Sequence, residues 1–120
     1  MPVVLLVDDD DHLRHLVTTL LESEGYEVIA AADGAEGLTR FRDLVERAGI
    51  VVTDLSMPGM NGREMATAMR RVRPDLPMLF FAGYTLEEAR ATGLLPDGEP
   101  YLAKPFHLDE LVERVTALCR

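Results

Sequence analysis

The stretch that decides the fold is VVLLVDDDD, residues 3–11. Its first five residues are apolar on both alternating faces, which is typical of a strand buried in a parallel sheet that helices cover on each side. The strand is followed by four adjacent carboxylates, Asp8 to Asp11, which repel one another when ionised. We therefore expect either a cation beside these acids or a different task for each of them.

Similar apolar runs alternate with helical patterns along the rest of the chain. The predicted strands are Val3–Val7, Tyr26–Ala31, Gly49–Thr53, Pro77–Phe81 and Tyr101–Ala103. Five strands that alternate with five helices predict an α/β fold, a doubly wound five-stranded parallel sheet. The expected strand order is 2-1-3-4-5, as in a flavodoxin-like (βα)5 sandwich, and this order places strands 1 and 3 side by side.

Polar residues mark the expected starts of the helices. We expect Asp11 to be the N-cap of the first helix and Asp10 to be a solvated acid nearby. Three later helices begin with the spacing of a capping box, in which a short polar side chain precedes a glutamate by three residues. The pairs are Asp33 with Glu36, Asn61 with Glu64, and Thr85 with Glu88.

Length, charge and cysteine content exclude several classes of protein. A chain of 120 residues fits one domain, which we assign to residues 1–120. The net charge of −9 argues against binding nucleic acid or an anionic membrane. Cys119 is the only cysteine, and no apolar stretch approaches the length of a membrane span. A cytoplasmic protein is the simplest interpretation, either a monomer or a weak dimer.

Chemistry in such sheets occurs at the carboxyl ends of the strands. Asp8 and Asp9 follow the first strand, Asp54 follows the third, and Lys104 follows the fifth. Carboxylates at close range favour a hard cation such as Mg2+, while the lysine ammonium suits phosphate oxygens. Asp54 is the best candidate for a nucleophile that forms an aspartyl phosphate. The alternative, that the acids only solvate and cap a helix, does not account for Asp54 and Lys104.

Three motifs then identify a family. They are VDDD at 7–10, VVTDLSMPGMNG at 51–62 and YLAKPF at 101–106. In order and spacing, the chain resembles the receiver domain of two-component response regulators over essentially its whole length. The segments at 76–85 and 96–115 are most similar to receivers attached to hybrid sensor kinases.

The resemblance implies a role for each residue of the site. Asp54 would accept a phosphoryl group from a phosphohistidine on a histidine kinase or a histidine phosphotransfer protein. The Mg2+ ion would be bound by Asp9, Asp54 and the backbone carbonyl of Ser56, with Asp8 acting through water. Lys104 would pair with the phosphoryl oxygens, and its peptide bond to Pro105 would be cis.

The resemblance also implies how the signal leaves the domain. Tyr101 would be an aromatic switch residue that moves between exposed and inward positions. A downstream protein would bind the face formed by the fourth helix, the fifth strand and the fifth helix. Tyr84 and Ser56 would flank the path of the water that hydrolyses the phosphoryl group, and the bulk of Tyr84 would slow that step.

One position departs from the family. Receiver domains carry Ser or Thr at the end of the fourth strand, where the hydroxyl bonds the phosphoryl group, and this chain has Ala82 there. A hydrogen bond to a charged group is worth about 1.5–3 kcal/mol. Full switching requires about 5.5 kcal/mol, so losing this bond removes a quarter to half of it. We expect phosphorylation at Asp54 with weak or rerouted coupling to Tyr101.

Other functions remain open. Ala82 makes a phosphorylation-independent protein-binding pseudo-receiver a credible alternative. A small Mg2+-dependent phosphatase with an aspartyl nucleophile usually has a second acid two residues later, where this chain has Ser56. A flavodoxin-like electron carrier must cradle a phosphate in its first loop, where four aspartates would repel it. We therefore expect a phosphoacceptor module and not an enzyme with an independent substrate.

Overall fold

A computed structural model describes residues 3–119, in which five strands alternate with five helices. The elements are β1 (Val3–Val7), α1 (Asp11–Ser23), β2 (Glu27–Ala31), α2 (Gly34–Arg42), β3 (Ala48–Asp54), α3 (Gly62–Val72), β4 (Met78–Ala82), α4 (Leu86–Ala91), β5 (Tyr101–Ala103) and α5 (Leu108–Leu118). Within residues 3–119, none of the helices has both the length and the apolar character that a membrane crossing requires.

The five strands form one parallel sheet in the order β2-β1-β3-β4-β5. This confirms the predicted α/β class and strand order. β4 lies one residue later than predicted, at Met78–Ala82. β3 gains one residue at each end because Ala48 pairs with Val3 and Asp54 pairs with Phe81. The last pair matters for the site, since it makes Asp54 the final residue of a buried strand.

The side chains of the sheet divide between two cores, one on each face. One core packs beneath α2, α3 and α4 and includes Phe41, Met65 and Ala89. The other packs beneath α1 and α5 and includes Leu21 and Leu111. Because both faces are covered, the strands lack a polar side and read as continuous apolar runs.

The start of α1 corrects one prediction. Asp10, not Asp11, is the N-cap, and its carboxylate accepts from the backbone N–H groups of His12 and Leu13 at 3.0 and 3.1 Å. These bonds lower the pKa of Asp10, that to Leu13 most. Asp11 is the first helical residue and pairs with Arg14 one turn later. The reason lies two residues before Asp10, where the Asp8 carboxylate accepts from the Asp10 N–H and fixes the turn.

The other predicted caps are present with one change. Asn61 with Glu64 and Thr85 with Glu88 form complete capping boxes. At α2 the capping box is incomplete. Asp33 accepts from the N–H of Glu36, but the Glu36 carboxylate accepts from the N–H of Ala32 and not from that of Asp33.

Gly62 lets α3 begin directly against the end of β3. A Cβ at this position would lie 2.3 Å from the carbonyl oxygen of Asp54 and 3.0 Å from Cα of Leu55. The structure requires glycine at this position because backbone approaches backbone there, and this contact fixes the loop that follows Asp54.

Candidate functional site

Three carboxylates meet at the carboxyl edge of the sheet. Asp8 and Asp9 follow β1, and Asp54 ends the neighbouring β3. One carboxylate oxygen from each of the three lies within 4.8 Å of the others. Asp8 and Asp54 are buried, at 0% and 5% exposure, while Asp9 is exposed. Together with Lys104 they form what we call the acid pocket, and the predicted candidate residues do come together there.

The burial and hydrogen bonding of Asp8 favour a positive charge in the acid pocket. Burial raises the pKa of Asp8 to about 6, with smaller raising effects from the charges of Asp54 and Asp9. The N–H of Asp10 and the charge of Lys104 act in the opposite direction. Its Oδ2 atom is buried and lacks a hydrogen-bond partner among residues 3–119. A buried, unpartnered carboxylate oxygen is costly unless a cation or a proton accompanies it.

The donor set suits a hard divalent cation. Three carboxylates of two different strand ends provide oxygen ligands, which Mg2+ prefers, and the exposure of Asp9 leaves room for the waters that Mg2+ usually keeps. The unpartnered oxygen of Asp8 points to the same chemistry. These residues therefore fit the predicted cofactor.

Asp54 is held at both carboxylate oxygens. Its Oδ1 atom accepts from the N–H of Ser56 at 2.9 Å, and its Oδ2 atom lies 3.1 Å from Nζ of Lys104. The side chain of Lys104 is 30% exposed, whereas that of Asp54 is 7% exposed. A group that enters from solvent would therefore meet the more exposed ammonium of Lys104 before the buried carboxylate of Asp54.

Lys104 is positioned by the turn after β5. Its N–H donates to the carbonyl of Ala82 at 2.7 Å, and the Lys104–Pro105 peptide bond is cis, as the resemblance implied. The ammonium lies 5.1 Å from the centroid of the Phe81 ring. Phe81 in turn packs edge-on against Phe106, with centroids 5.9 Å apart. This aromatic support restrains the lysine to the side of the pocket that faces Asp54.

The residues predicted to transmit the signal lie at the end of β4, just after it, and at the start of β5. Ala82 is the last residue of β4, one residue beyond the predicted end of that strand at Phe81, and is 1% exposed. Tyr101 is 8% exposed and takes the inward position. Its hydroxyl donates to the carbonyl of Tyr84 at 2.6 Å, with a longer contact to that of Ala82. Burial raises the pKa of Tyr101. We call Ala82, Tyr84 and Tyr101 the switch region.

Ser56 and Tyr84 face each other across the mouth of the acid pocket. Their hydroxyl oxygens are 3.5 Å apart. Ser56 is exposed and Tyr84 is half-buried. The predicted role of this pair in the hydrolysis of the phosphoryl group stays a prediction.

Arg14 is a residue of the site that the sequence interpretation missed. Its Nη1 donates to the backbone carbonyl of Asp8 at 2.7 Å, and its Nη2 pairs with Asp11. The arginine thus ties α1 to the end of β1. The i, i+3 spacing of Asp11 and Arg14 was a visible signal for the ion pair, but no sequence pattern indicated the bond to Asp8.

Comparison with known proteins identifies the family. Residues 4–116 match the family model described as the response regulator receiver domain. The chain belongs to this family. The prediction made from the three sequence motifs is therefore confirmed.

Curated relatives of this receiver domain include transcriptional regulators. One is the transcriptional regulatory protein PrrA of Mycobacterium tuberculosis, 38% identical over 119 residues, which cover 99% of this chain and 50% of PrrA. The chain spans about half the length of the curated relatives it matches. The expectation that it has no nucleic-acid partner stays a prediction.

Solved receiver domains share the fold closely. The receiver domain of the hybrid histidine kinase CckA is 30% identical with a TM-score of 0.84, covering 98% of this chain and 99% of that one. The response regulator protein TrrA of Thermotoga maritima, solved with Mg2+ and BeF, is 32% identical with a TM-score of 0.85. The similarity covers 98% of this chain and 99% of the TrrA chain.

Proposed function

We propose that this receiver domain is a phosphoacceptor module that takes a phosphoryl group from a partner phosphohistidine onto Asp54, with Mg2+ in the acid pocket. The observation that carries the proposal is the placement of Asp54. Its carboxylate lies between two other acids and the ammonium of Lys104, 3.1 Å away. That arrangement suits the arrival of a phosphoryl group together with a cation.

The chain's own residues account for most of the chemistry. The Asp54 carboxylate attacks phosphorus as the bond from phosphorus to the donor's imidazole nitrogen breaks, so that one P–O bond forms for each P–N bond lost. The N–H of Ser56 orients the carboxylate, and Lys104 can leave Asp54 to pair with the arriving oxygens. Mg2+, held by Asp9, Asp54 and the Ser56 carbonyl with Asp8 through water, would neutralise charge on the transferring group.

An apolar groove beside the acid pocket fits the phosphodonor. It is lined by Leu13 and Leu16 of α1, by Lys104, Pro105 and Phe106 of the turn after β5, and by Leu108 at the start of α5. Leu16 is 41% exposed. A helix of a histidine kinase or phosphotransfer protein could bury its apolar face here while a histidine on it reaches Lys104 and Asp54.

The proposal is tested by intact-mass analysis after incubation with acetyl phosphate and Mg2+. We expect one added phosphoryl group in the wild type, and none in Asp54→Ala or when the metal is chelated. Equal labelling of the wild type and Asp54→Ala would refute Asp54 as the acceptor.

Ala82 specifically favours a second candidate function, a pseudo-receiver that binds its partner without phosphorylation. Its methyl group occupies the buried end of β4 where a hydroxyl would bond the phosphoryl group. Such a protein should show no spectral response to Mg2+ with beryllofluoride, an acyl-phosphate mimic. A response localised to the acid pocket would favour the phosphoacceptor.

We further propose that this domain works in the cytoplasm and does not turn over an independent substrate. A single cysteine suits a reducing compartment. Ser56 stands two residues after Asp54, where an aspartyl-nucleophile phosphatase usually has a general acid. Hydrolysis of a generic phosphomonoester by the wild type, absent in Asp54→Ala, would contradict the second part of this proposal.

A further inference from the structure

The positive charge of this acidic chain is concentrated on α3. The segment 61–73 holds four arginines and one glutamate, a net charge of +3, in a chain whose formal net charge is −9. Those four arginines are a third of all the lysines and arginines. Because the rest of the chain is strongly acidic, this helix is a local exception that requires an explanation.

Two of the four arginines have structural tasks. Arg70 forms a two-pronged ion pair with Glu99 and also donates to the carbonyl of Leu76. Arg73 donates to the carbonyls of Val45 and Ala48. Both arginines therefore fasten neighbouring loops to α3.

The remaining two, Arg63 and Arg71, are exposed and have no ion-pair partner within residues 3–119. Arg71 lies in the last turn, where the helix dipole favours a cation, but Arg63 lies in the first turn, where the dipole disfavours one. Arg63 uses one N–H group to bond the carbonyl of Gly93 and keeps the others free. Helix stability alone does not explain this pair.

The residues between the two arginines leave room for another helix. Thr67 and Ala68 lie in the middle of the same surface, and their small side chains permit close approach. Glu64 also borders this surface, but its carboxylate is engaged by the N–H of Asn61 in the capping box. Val72, at 61% exposure, is the most exposed large apolar residue among residues 3–119. It follows Ala68 by one helical turn. We call Arg63, Thr67, Ala68, Arg71 and Val72 the α3 outer face.

We infer that the α3 outer face is a docking surface for an acidic amphipathic helix of a partner protein. Arg63 and Arg71 are eight residues apart, roughly 12 Å along the helix axis. Two carboxylates seven or eight residues apart on a facing helix match that distance. The small residues at the centre bring the two helices together, and Val72 offers an apolar contact at one end.

Nucleic acid is the competing polyanion, and the net charge argues against it. A long phosphate backbone would extend beyond α3 into the field of a chain with net charge −9. A short acidic helix avoids this because it covers only the cationic surface. The chemistry therefore favours a protein partner.

The surface can be tested with an alanine-based helical peptide of about 16 residues that carries two glutamates seven positions apart. We expect its addition to the full chain at low salt to shift the amide NMR signals of the α3 outer face. The double variant Arg63→Gln/Arg71→Gln should bind the peptide about fivefold more weakly than the wild type, as expected for the loss of two exposed ion pairs. A matched control, Arg40→Gln/Arg42→Gln on α2, removes the same charge and should bind as the wild type does.

A second variant separates a docked helix from a diffuse charge effect. Ala68→Leu keeps helix propensity and charge but fills the centre of the surface, so it should also weaken binding. The inference is overturned if Ala68→Leu binds as the wild type does, if both arginine variants lose binding equally, or if the peptide shifts no signals on α3. It is also overturned if a short single-stranded oligonucleotide shifts the same signals more strongly than the peptide.

Discussion

The acid pocket and the switch region differ in how many of the functional groups expected of a receiver domain they contain. The acid pocket, at the ends of β1, β3 and β5, contains all the charged groups expected for the proposed phosphoryl capture, with Asp54 3.1 Å from Lys104 and the Asp8 carboxylate buried beside them. At β4 and β5 the switch region has Ala82, which lacks a hydroxyl, and a Tyr101 that already points inward.

This difference shows that capturing a phosphoryl group and transmitting its presence to the rest of the domain have separate physical requirements. We call these two steps capture and read-out. Capture depends on charges within a few ångströms of phosphorus, and these charges are supplied by strand ends that the fold brings together. Read-out depends on a differential contact that exists only when the phosphoryl group is present. Here the Tyr101 hydroxyl donates to the backbone carbonyls of Tyr84 and Ala82, so the inward position is stabilised by contacts that do not involve the phosphoryl site.

The largest expected effect concerns the capture end. Replacing Asp9 with Asn removes a metal-site charge that is exposed and makes no packing contact in the core, so the fold should survive. We expect phosphorylation by acetyl phosphate to slow by more than about 100-fold, since even indirect disturbance of a metal site costs 10- to 100-fold. Intact-mass time courses measure this rate. Asp11→Asn, three positions from Asp8 on the same rim, is the control and should retain the wild-type rate.

The next effect is a pH dependence of stability that comes from Asp8. Its pKa rises from 3.8 in the unfolded chain to about 6 in the folded protein, so folding favours the protonated form. The resulting stability is fully present below about pH 4 and is lost as the pH rises through 6, a change of about 3 kcal/mol. Urea unfolding of the metal-free protein at several pH values should show this loss.

Two comparisons sharpen the assignment to Asp8. Asp8→Asn should abolish the loss of stability between pH 4 and pH 7, and saturating Mg2+ should largely offset it because a cation stabilises the ionised carboxylate. Asp10→Asn keeps the helix cap and should retain the wild-type profile between pH 4 and pH 7, because the lowered pKa of Asp10 affects stability only at more acidic pH. An Asp8→Asn profile identical to that of the wild type would mean that burial does not govern this carboxylate.

At the read-out end, Ala82→Ser should restore the missing contact. A serine hydroxyl at the end of β4 can donate to the phosphoryl group, which would add about 1.5–3 kcal/mol to the phosphorylated state only. Phosphate-dependent changes in amide exchange across α4, β5 and α5 should therefore grow. Ala103→Ser, one strand away and paired with Ala82, is the matched control. Equal responses in wild type and Ala82→Ser would refute this role for Ala82.

The smallest effect concerns the lifetime of the phosphoryl group. Tyr84→Ala opens the mouth of the acid pocket, and we expect hydrolysis to accelerate roughly threefold to tenfold, the equivalent of about 1 kcal/mol. Tyr84→Phe keeps the bulk and loses only the long contact to Ser56, so its lifetime should match the wild type. Decay of the phosphorylated mass measures both. No change in Tyr84→Ala would exclude a shielding role.

Much of this account could be predicted from the sequence because it rests on periodicity. Runs that are apolar on both faces identified the buried strands, and helical spacing between them indicated a doubly wound parallel sheet. Because the carboxyl ends of parallel strands meet at one edge, Asp54 and Lys104 were expected to lie there. The misplaced N-cap shows the boundary of such reasoning, since Asp10 and Asp11 are chemically identical and only the turn made by Asp8 selects between them.

Features that depend on contacts between separate parts of the folded chain were not visible in the sequence. The requirement for Gly62 arises from contact between the backbones of α3 and β3. The bond from Arg14 to the Asp8 carbonyl depends on the direction in which a long side chain turns. Likewise, the inward position of Tyr101 follows from two carbonyls that the sequence does not mark as acceptors.

The central claim, that the acid pocket captures a phosphoryl group while the switch region is weakly coupled to it, can be tested with one measurement. Amide NMR spectra of the full chain would be recorded with Mg2+ alone and with Mg2+ plus beryllofluoride. We predict large shifts around Asp8, Asp54 and Lys104 and small ones at Tyr101 and along α4. Shifts of comparable size across α4, β5 and α5, with a changed environment for the Tyr101 ring, would contradict the account.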